Sequence, residues 1–360
     1  MKIAQVAPLY EAVPPRLYGG TERIVHYLTE QLVSLGHEVT LFASGDSHSS
    51  AKLVTIVDTA LRLNPDCGDP LTYHIIQLKE VLDRANEFDI IHFHTDYLNY
   101  PFSTLLSTPS VTTLHGRLDI PDLQPLYNKF NYIPLVSISD SQRGPLPMAN
   151  FVATVHHGLP KDLFYEGKGQ EKYLAFLGRV SPEKGLEKAI EWAQAAGMKL
   201  RIAAKVDKAD QQYFESKIKH LLDDPLIEFI GEINESQKQY FLGNATALLF
   251  PINWLEPFGL VMIEAMACGT PVIAHNQGSV PEIIEDGVNG YIVSSTKEAV
   301  SVIRNIHSLS RHQVRMAFEE RFTADKMTAD YMAVYKQVSK TWFGSSWNQR
   351  LKDSEVELNS

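Results

Sequence analysis

The chain is poor in cysteine. Cys67 and Cys268 are the only two in 360 residues. That is too few for a disulfide scaffold or a thiolate metal site, and it fits a reducing compartment, so the expected location is the cytoplasm. Long apolar runs are also missing. None reaches the length needed to cross a bilayer, and Met1-Lys2-Ile3-Ala4-Gln5-Val6 enters a strand pattern with no signal peptide before it. Positive charge is scarce. With 33 Lys+Arg against 43 Asp+Glu the net charge is −10, which argues against nucleic acid as a partner. The first 160 residues carry 10 basic and 16 acidic side chains, so no basic face offers itself to anionic lipid and membrane association is expected to be weak or absent. The Gly-x-Gly-x-x-Gly fingerprint of dinucleotide binders is absent, which disfavours NAD.

What is present is a soluble, two-domain composition, with 44% apolar and 21% charged residues. Residues 3–7 read as a buried strand. A Pro- and Gly-containing loop follows, ending at Gly19 and Gly20. Thr21 is the expected cap of a helix to about residue 35, with Ile24, Leu28 and Leu32 on one face. Gly36 ends that helix and residues 39–42 give a second strand. Strand, Gly-rich loop, helix, strand is how a doubly wound α/β domain opens, and the Gly pair suits either a close-approaching ligand or a plain turn. Residues 71–87 read as a helix and 89–94 as a strand. His92 and His94 alternate onto one face of it, but no third ligand suggests itself, so hydrogen-bonded structure is favoured over a metal. Further strands are expected at 111–114, 132–138 and 152–155. His115 follows the first of these, at the sheet edge where α/β proteins bind ligands. Ser139 is the expected cap of a short helix.

Residues 1–160 are therefore expected to form one domain, 161–171 a linker, and 172–322 a second. Residues 323–345 are expected to be a helix crossing back to the first, and 346–360 a polar tail. The second domain restarts with a strand at 173–177. Gly178-Arg179-Val180-Ser181-Pro182-Glu183-Lys184-Gly185 follows, with Ser181 as the expected N-cap and Pro182 as first helical residue. Arg179 and Lys184 beside a helix start suit a diphosphate, although a solvated basic pair is the plainer reading. Strands at 200–203, 227–230 and 247–250 alternate with helices at 209–222 and 235–243. Residues 254–274 then run from a turn at Glu256-Pro257-Phe258-Gly259 into an apolar helix that ends at Gly269. Glu264 lies within that helix among Met262, Ile263, Ala265 and Met266, where a carboxylate is costly without a partner.

The string from Glu256 to Pro271 resembles the Glu-Pro-Phe-Gly … Glu-Ala-Met-Ala-Cys-Gly-Thr-Pro signature of family 4 retaining glycosyltransferases. Residues 178–185 resemble it too, with support from Gly19-Gly20, Thr113-Leu114-His115-Gly116, Gly231-Glu232 and 278–290. The resemblance implies an α/β GT-B fold, in which two Rossmann-like doubly wound parallel-sheet domains face each other across a cleft. It implies that Arg179 and Lys184 hold the diphosphate and Glu264 the ribose. Glu256 and the backbone N–H groups of Phe258, Gly259 and Leu260 would hold the transferred sugar, and His115 would touch that sugar. Gly19 and Gly20 would line the phosphate and acceptor side, and Glu232 would lie near the base. Arg179, Lys184, Glu256 and His115 are thus the expected catalytic set. Ala7-Pro8-Leu9-Tyr10-Glu11 and Tyr18-Gly19-Gly20-Thr21-Glu22-Arg23 are similar to bacterial members known as UDP-glucose:tetrahydrobiopterin glucosyltransferases. UDP-glucose is therefore the first choice of donor, with UDP-N-acetylglucosamine and GDP-mannose as alternatives and the acceptor open. No Asp-x-Asp pair stands in the chain to hold a divalent metal, which fits a metal-independent, retaining, front-face transfer needing no cofactor beyond the nucleotide sugar. His157-Gly158-Leu159-Pro160 departs from the family's Asn-Gly-Ile-Asp, so no binding role is assigned there. A GT-B-like sugar-nucleotide epimerase and a noncatalytic nucleotide-sugar binder are the rival readings.

Overall fold

The structure is a computed structural model that describes residues 1–16 and 19–344. Tyr18 and the tail expected at 346–360 lie outside the described residues. The chain divides into two compact units. One comprises Met1–His157 together with the chain from Ala324 onward, and the other Gly158–Thr323.

The first unit is built on seven strands: β1 (Lys2–Val6), β2 (Glu38–Ala43), β3 (Lys52–Thr55), β4 (Ile90–Phe93), β5 (Ser110–Thr113), β6 (Leu135–Ser137) and β7 (Phe151–Thr154). Their spatial order is β3-β2-β1-β4-β5-β6-β7, and every pairing is parallel. A parallel sheet is covered on both faces, which explains why its central strands are buried nearly throughout. Ala4, Val6, Phe42, Ile91 and Phe93 pack on one side with Leu78 and Val81. The helix Gly20–Ser34 buries Ile24, Leu28 and Leu32 completely, each worth about 1.5–3 kcal/mol. The helix Ala324–Gly344 belongs to this unit as well, and its Tyr335 hydroxyl accepts from Gln5 Nε2 at 2.9 Å.

The second unit repeats the plan with β8 (Tyr173–Arg179), β9 (Lys199–Lys205), β10 (Ile227–Gly231), β11 (Ala247–Phe250), β12 (Val272–His275) and β13 (Gly290–Val293). Their order is β10-β9-β8-β11-β12-β13, again all parallel. Its core joins Leu174, Phe176, Leu200, Ile202, Leu249 and Ile273 to Trp192 of the helix Leu186–Ala196.

Several local expectations need correction. Thr21 does not cap the first long helix. Gly19 is its N-cap, with no side-chain hydrogen bond, and the helix begins at Gly20. Ser181 does not cap a helix through its hydroxyl either. Its Oγ is buried without a hydrogen-bond partner, Pro182–Lys184 form a single 3-10 turn, and the helix starts only at Leu186. The expected helix over 209–222 is broken into a short α turn, a π turn and a 3-10 turn. The short edge strand β3 has no counterpart in the sequence reading. It is half-exposed and carries no apolar run, so it lacks the usual strand signal.

Candidate functional site

Open α/β sheets bind ligands at the carboxyl ends of strands where the strand order reverses. In the second unit that point lies between β8 and β11, and the sequence-derived candidates gather there. Arg179 is the last residue of β8, and Lys184 closes the turn that follows. Glu256 lies on the segment after β11. Lys184 Nζ meets a Glu256 carboxylate oxygen at 2.5 Å, and the Trp254 indole N–H donates to the same oxygen at 2.8 Å. The ammonium also sits 5.1 Å from the Trp254 ring centroid, a cation–π distance. The two charged side chains are only 17% and 10% exposed, so this is a largely desolvated pair. Arg179 has two carboxylate neighbours, Glu183 at 3.1 Å and Asp207 at 3.7 Å, while its Nε is buried without a hydrogen-bond partner. Trp254 opens the 254–274 stretch singled out in sequence but carries no role in that reading; its signal is its position two residues before Glu256.

The helix Leu260–Ala267 begins directly beside this pair, with Gly259 as N-cap. Phe258 is buried against Phe322, edge to face. Gly259 and Leu260 are half-buried at the helix start, where unpaired backbone N–H groups concentrate positive potential. Gly278 explains how the Glu256 loop is held. Its φ is +55°, and a Cβ there would fall 2.4 Å from the Glu256 backbone nitrogen. Ser279 then donates from its N–H to Glu256 O and from its hydroxyl to Phe258 O. Glu264, buried on the same helix, is partnered by Lys238 Nζ at 2.6 Å, a residue on the helix Glu235–Gly243. The far end of the Glu264 helix is fixed by two arginines. Arg311 donates to the carbonyls of Gly167, Gly243, Ala245 and Cys268 and to the Thr270 hydroxyl. Arg315 donates to those of Lys161, Phe164 and Ala267. Cations at a helix C-terminus oppose the negative end of its dipole. Part of the Cys268-Gly269-Thr270 signature is thus scaffolding for the helix that carries Glu264. Glu232 is exposed just beyond β10, the edge strand of this sheet.

In the first unit the carboxyl ends of β1, β4 and β5 carry the remaining candidates. Gly19 has φ +154°, and a Cβ there would lie 2.7 Å from Pro15 Cβ, so packing within the loop already requires glycine. Glu22, in the first turn of the helix, is buried, and burial pushes its carboxyl up to about 7. His115 is half-buried. Its Nε2 lies 2.9 Å from His94 Nδ1, and its ring stacks on His157 at 5.3 Å with an 18° tilt. Burial drives the His115 imidazole down to about 3, and holds His92, His94 and His157 well below the usual histidine range with help from neighbouring histidines. The rings are therefore neutral at pH 7. Both nitrogens of His92 and of His94 are engaged by protein groups. Among the described residues no three of His, Cys, Asp or Glu are grouped as metal ligands. Asp96, without a role in the sequence reading, takes φ +50° just past β4, and desolvation raises its carboxyl to about 6. Such a backbone in a non-glycine residue clusters at functional sites. Among the described residues no helix is long and apolar enough to cross a membrane.

Comparison with known proteins agrees with this architecture. Residues 161–322 match the family described as glycosyl transferases group 1, and residues 18–138 match glycosyltransferase family 4. An uncharacterized glycosyltransferase of Methanocaldococcus jannaschii is 26% identical over 336 residues, covering 81% of this chain and 84% of that one. In structure the chain is similar to sucrose-phosphate synthase from Thermosynechococcus elongatus, with a TM-score of 0.77 and 18% identity over 95% of this chain and all of that one. It is also similar to Anabaena HepE in complex with UDP and glucose, with a TM-score of 0.72 and 16% identity over 94% of this chain and all of that one.

Proposed function

We propose that the chain is a glycosyltransferase of the family 4 type, and that on its GT-B fold it moves glucose from UDP-glucose to an acceptor hydroxyl with retention of configuration. The observation that carries the reading is the Lys184–Glu256–Trp254 cluster at the switch point of the second sheet, beside the start of the helix Leu260–Ala267. The donor's diphosphate becomes the partner of Lys184 and Arg179. Glu256 is then released from Lys184 and accepts from hydroxyls of the transferred sugar, together with the backbone N–H groups of Phe258, Gly259 and Leu260. Glu264, already held by Lys238, accepts from the ribose hydroxyls. Glu232 lies toward the base. In the first unit Gly19 and Gly20 line the acceptor side, and His115 bonds a substrate hydroxyl.

The chemistry is electrostatic. As the bond from the anomeric carbon to the diphosphate lengthens, negative charge grows on the leaving group and positive charge on the sugar. Two cations and a helix start fixed before the reaction stabilise that charge without reorganising. The acceptor hydroxyl attacks from the leaving-group face, and a donor phosphate oxygen takes its proton. No protein base or nucleophile is then required. The choice of UDP-glucose rests on the N-terminal resemblance, with HepE binding UDP and glucose on the same fold. Tetrahydrobiopterin is the first acceptor to assay, and the cytoplasm is where we place the reaction.

A thermal shift against UDP, UDP-glucose, UDP-N-acetylglucosamine, GDP, GDP-mannose and NAD, with and without magnesium, tests the donor. At 100 times its dissociation constant a ligand stabilises by about 2.7 kcal/mol. UDP and UDP-glucose are expected to raise Tm equally in magnesium and in EDTA. A rise confined to GDP-mannose would overturn the donor, and a rise with NAD alone would overturn the transferase reading.

A further inference from the structure

A continuous hydrogen-bonded row runs through the first unit from its last helix to His115. Gln5 Nε2 donates to the Tyr335 hydroxyl at 2.9 Å, and Tyr335 Oη lies 2.8 Å from His92 Nδ1. His92 Nε2 is 2.7 Å from Thr113 Oγ1, which is 3.1 Å from the Tyr331 hydroxyl. On the other side, Gln5 Oε1 lies 2.8 Å from His94 Nε2, and His94 Nδ1 lies 2.9 Å from His115 Nε2. All of these side chains except His115 are buried, and Gln5 and His92 face each other in register on β1 and β4.

The protons in such a row are not independent. Gln5 Oε1 can only accept, so His94 Nε2 carries a proton. His94 is neutral, so its Nδ1 is a lone pair. His115 Nε2 facing that lone pair must then donate. His115 is neutral too, which leaves its Nδ1 as a bare acceptor. This nitrogen is enclosed and has no hydrogen-bond partner among the described residues. Turning the Gln5 amide over would reverse every proton along His94 and His115. His115 Nδ1 would then be an unpaired buried N–H, which proteins tolerate less well than an unpaired acceptor. The two arrangements thus differ at the one atom left without a partner.

We infer that Gln5 and His94 are positioning residues that hold His115 in the Nε2–H tautomer, so that Nδ1 serves as an acceptor for a substrate hydroxyl. The hydroxyl part of this inference rests on the transferase reading above, whereas the tautomer does not. The arrangement is specific in what it takes. A sugar or acceptor hydroxyl can donate to Nδ1, and an ether or carbonyl oxygen cannot. Tyr335 holds the NH₂ end of Gln5, so the last helix takes part in setting the proton on a ring at the far end of the row.

The test is two-bond proton–nitrogen NMR of the ¹⁵N-histidine-labelled full chain at pH 7.5, with His115→Gln identifying the His115 signals. The expected wild-type pattern has the proton on Nε2 and an unprotonated Nδ1. A proton on Nδ1 would overturn the inference, whether or not the chain transfers any sugar. Gln5→Leu removes the selecting amide. It is expected to give a mixed His115 tautomer and to lower kcat/KM roughly tenfold, the size of one net hydrogen bond. A folded Gln5→Leu protein with an unchanged tautomer would also overturn it. Unchanged kcat/KM with a mixed tautomer would refute the hydroxyl role and leave the tautomer assignment standing. If Gln5→Leu does not fold, the wild-type spectrum decides alone.

Discussion

Lys184→Met is expected to produce two separable effects. The lysine shares one largely desolvated Glu256 oxygen with the Trp254 indole N–H. Removing one partner of a fully buried pair costs about 3–5 kcal/mol. Here the side chains retain 17% and 10% exposure and Trp254 still donates to the carboxylate, so we reduce the figure to about 2 kcal/mol. In a unit of this size that lowers Tm by about 4–8 °C. Lys184→Met combined with Glu256→Gln removes both charges and leaves an amide facing Trp254. Most of the lost stability should return in that double variant, within about 1 kcal/mol of the parent. Activity should not return. The cation proposed to face the leaving diphosphate is gone in both variants, and losing one such donor typically lowers the rate by about 10²–10³. The assay pairs urea melts of the three proteins with UDP release from UDP-glucose under saturating donor. A Lys184→Met enzyme within threefold of the parent rate would refute the leaving-group role. Undiminished stability in the single variant would refute the desolvated-pair reasoning, independently of catalysis.

Glu264→Gln should keep the helix, leave Lys238 with a weaker acceptor, and raise the dissociation constant for UDP about tenfold by calorimetry; unchanged affinity would remove Glu264 from the ribose role. Arg311→Lys should destabilise the second unit by about 2–4 kcal/mol in denaturant melts, because a single ammonium cannot reach the four carbonyls and the hydroxyl that the guanidinium joins. Stability should also fall as the solution is acidified. The neutral rings of His92, His94, His115 and His157 have folded-state values far below the ordinary 6.5, so the unfolded chain takes up more protons as pH drops below about 6.5. Each contributes a slope of about 1.4 kcal/mol per pH unit, down to about pH 3 for His115. Glu22, raised to about 7, and Asp96, raised to about 6, oppose this between about pH 4.5 and 7 and about pH 3.8 and 6, as two groups against four. Melts at pH 7.5, 6.0 and 5.0 check the net sign, and equal midpoints would refute it.

Much of the alternation of strand and helix could be read directly, because a doubly wound sheet buries both faces and prints long apolar stretches. The helices that cover the sheet show instead as spaced stripes, such as Ile24, Leu28 and Leu32 four residues apart. The failures have local causes. Thr21 and Ser181 looked like caps because their residue type favours that role, yet in both places the backbone used glycine to start the helix one or several residues away. The segment 209–222 has a helical composition, but composition does not distinguish α, π and 3-10 turns. The candidate residues could be named one by one from the sequence, but their contacts could not. Lys184 and Glu256 are 72 residues apart and Lys238 and Glu264 are 26 apart. No periodicity or spacing rule joins them, because the meeting is made by strand order in the sheet. His115 was visible beside a strand end, whereas its link through His94 to Gln5 needed the register of β1 against β4.

The two units differ in how they meet the ribosome. Residues 158–323 are one uninterrupted stretch, so the second sheet and its core can close as soon as that stretch has emerged. The first sheet has to wait. Its seven strands leave the ribosome early, but Tyr331 and Tyr335, which occupy Thr113 and join Gln5 to His92, arrive more than 170 residues after β7. During that interval a row of buried polar groups in the centre of the early-made sheet is incomplete. The nascent first unit is thus the aggregation-prone partner during synthesis, and a chain stopped at residue 323 should yield a well-folded second unit attached to a first unit that is open to proteases.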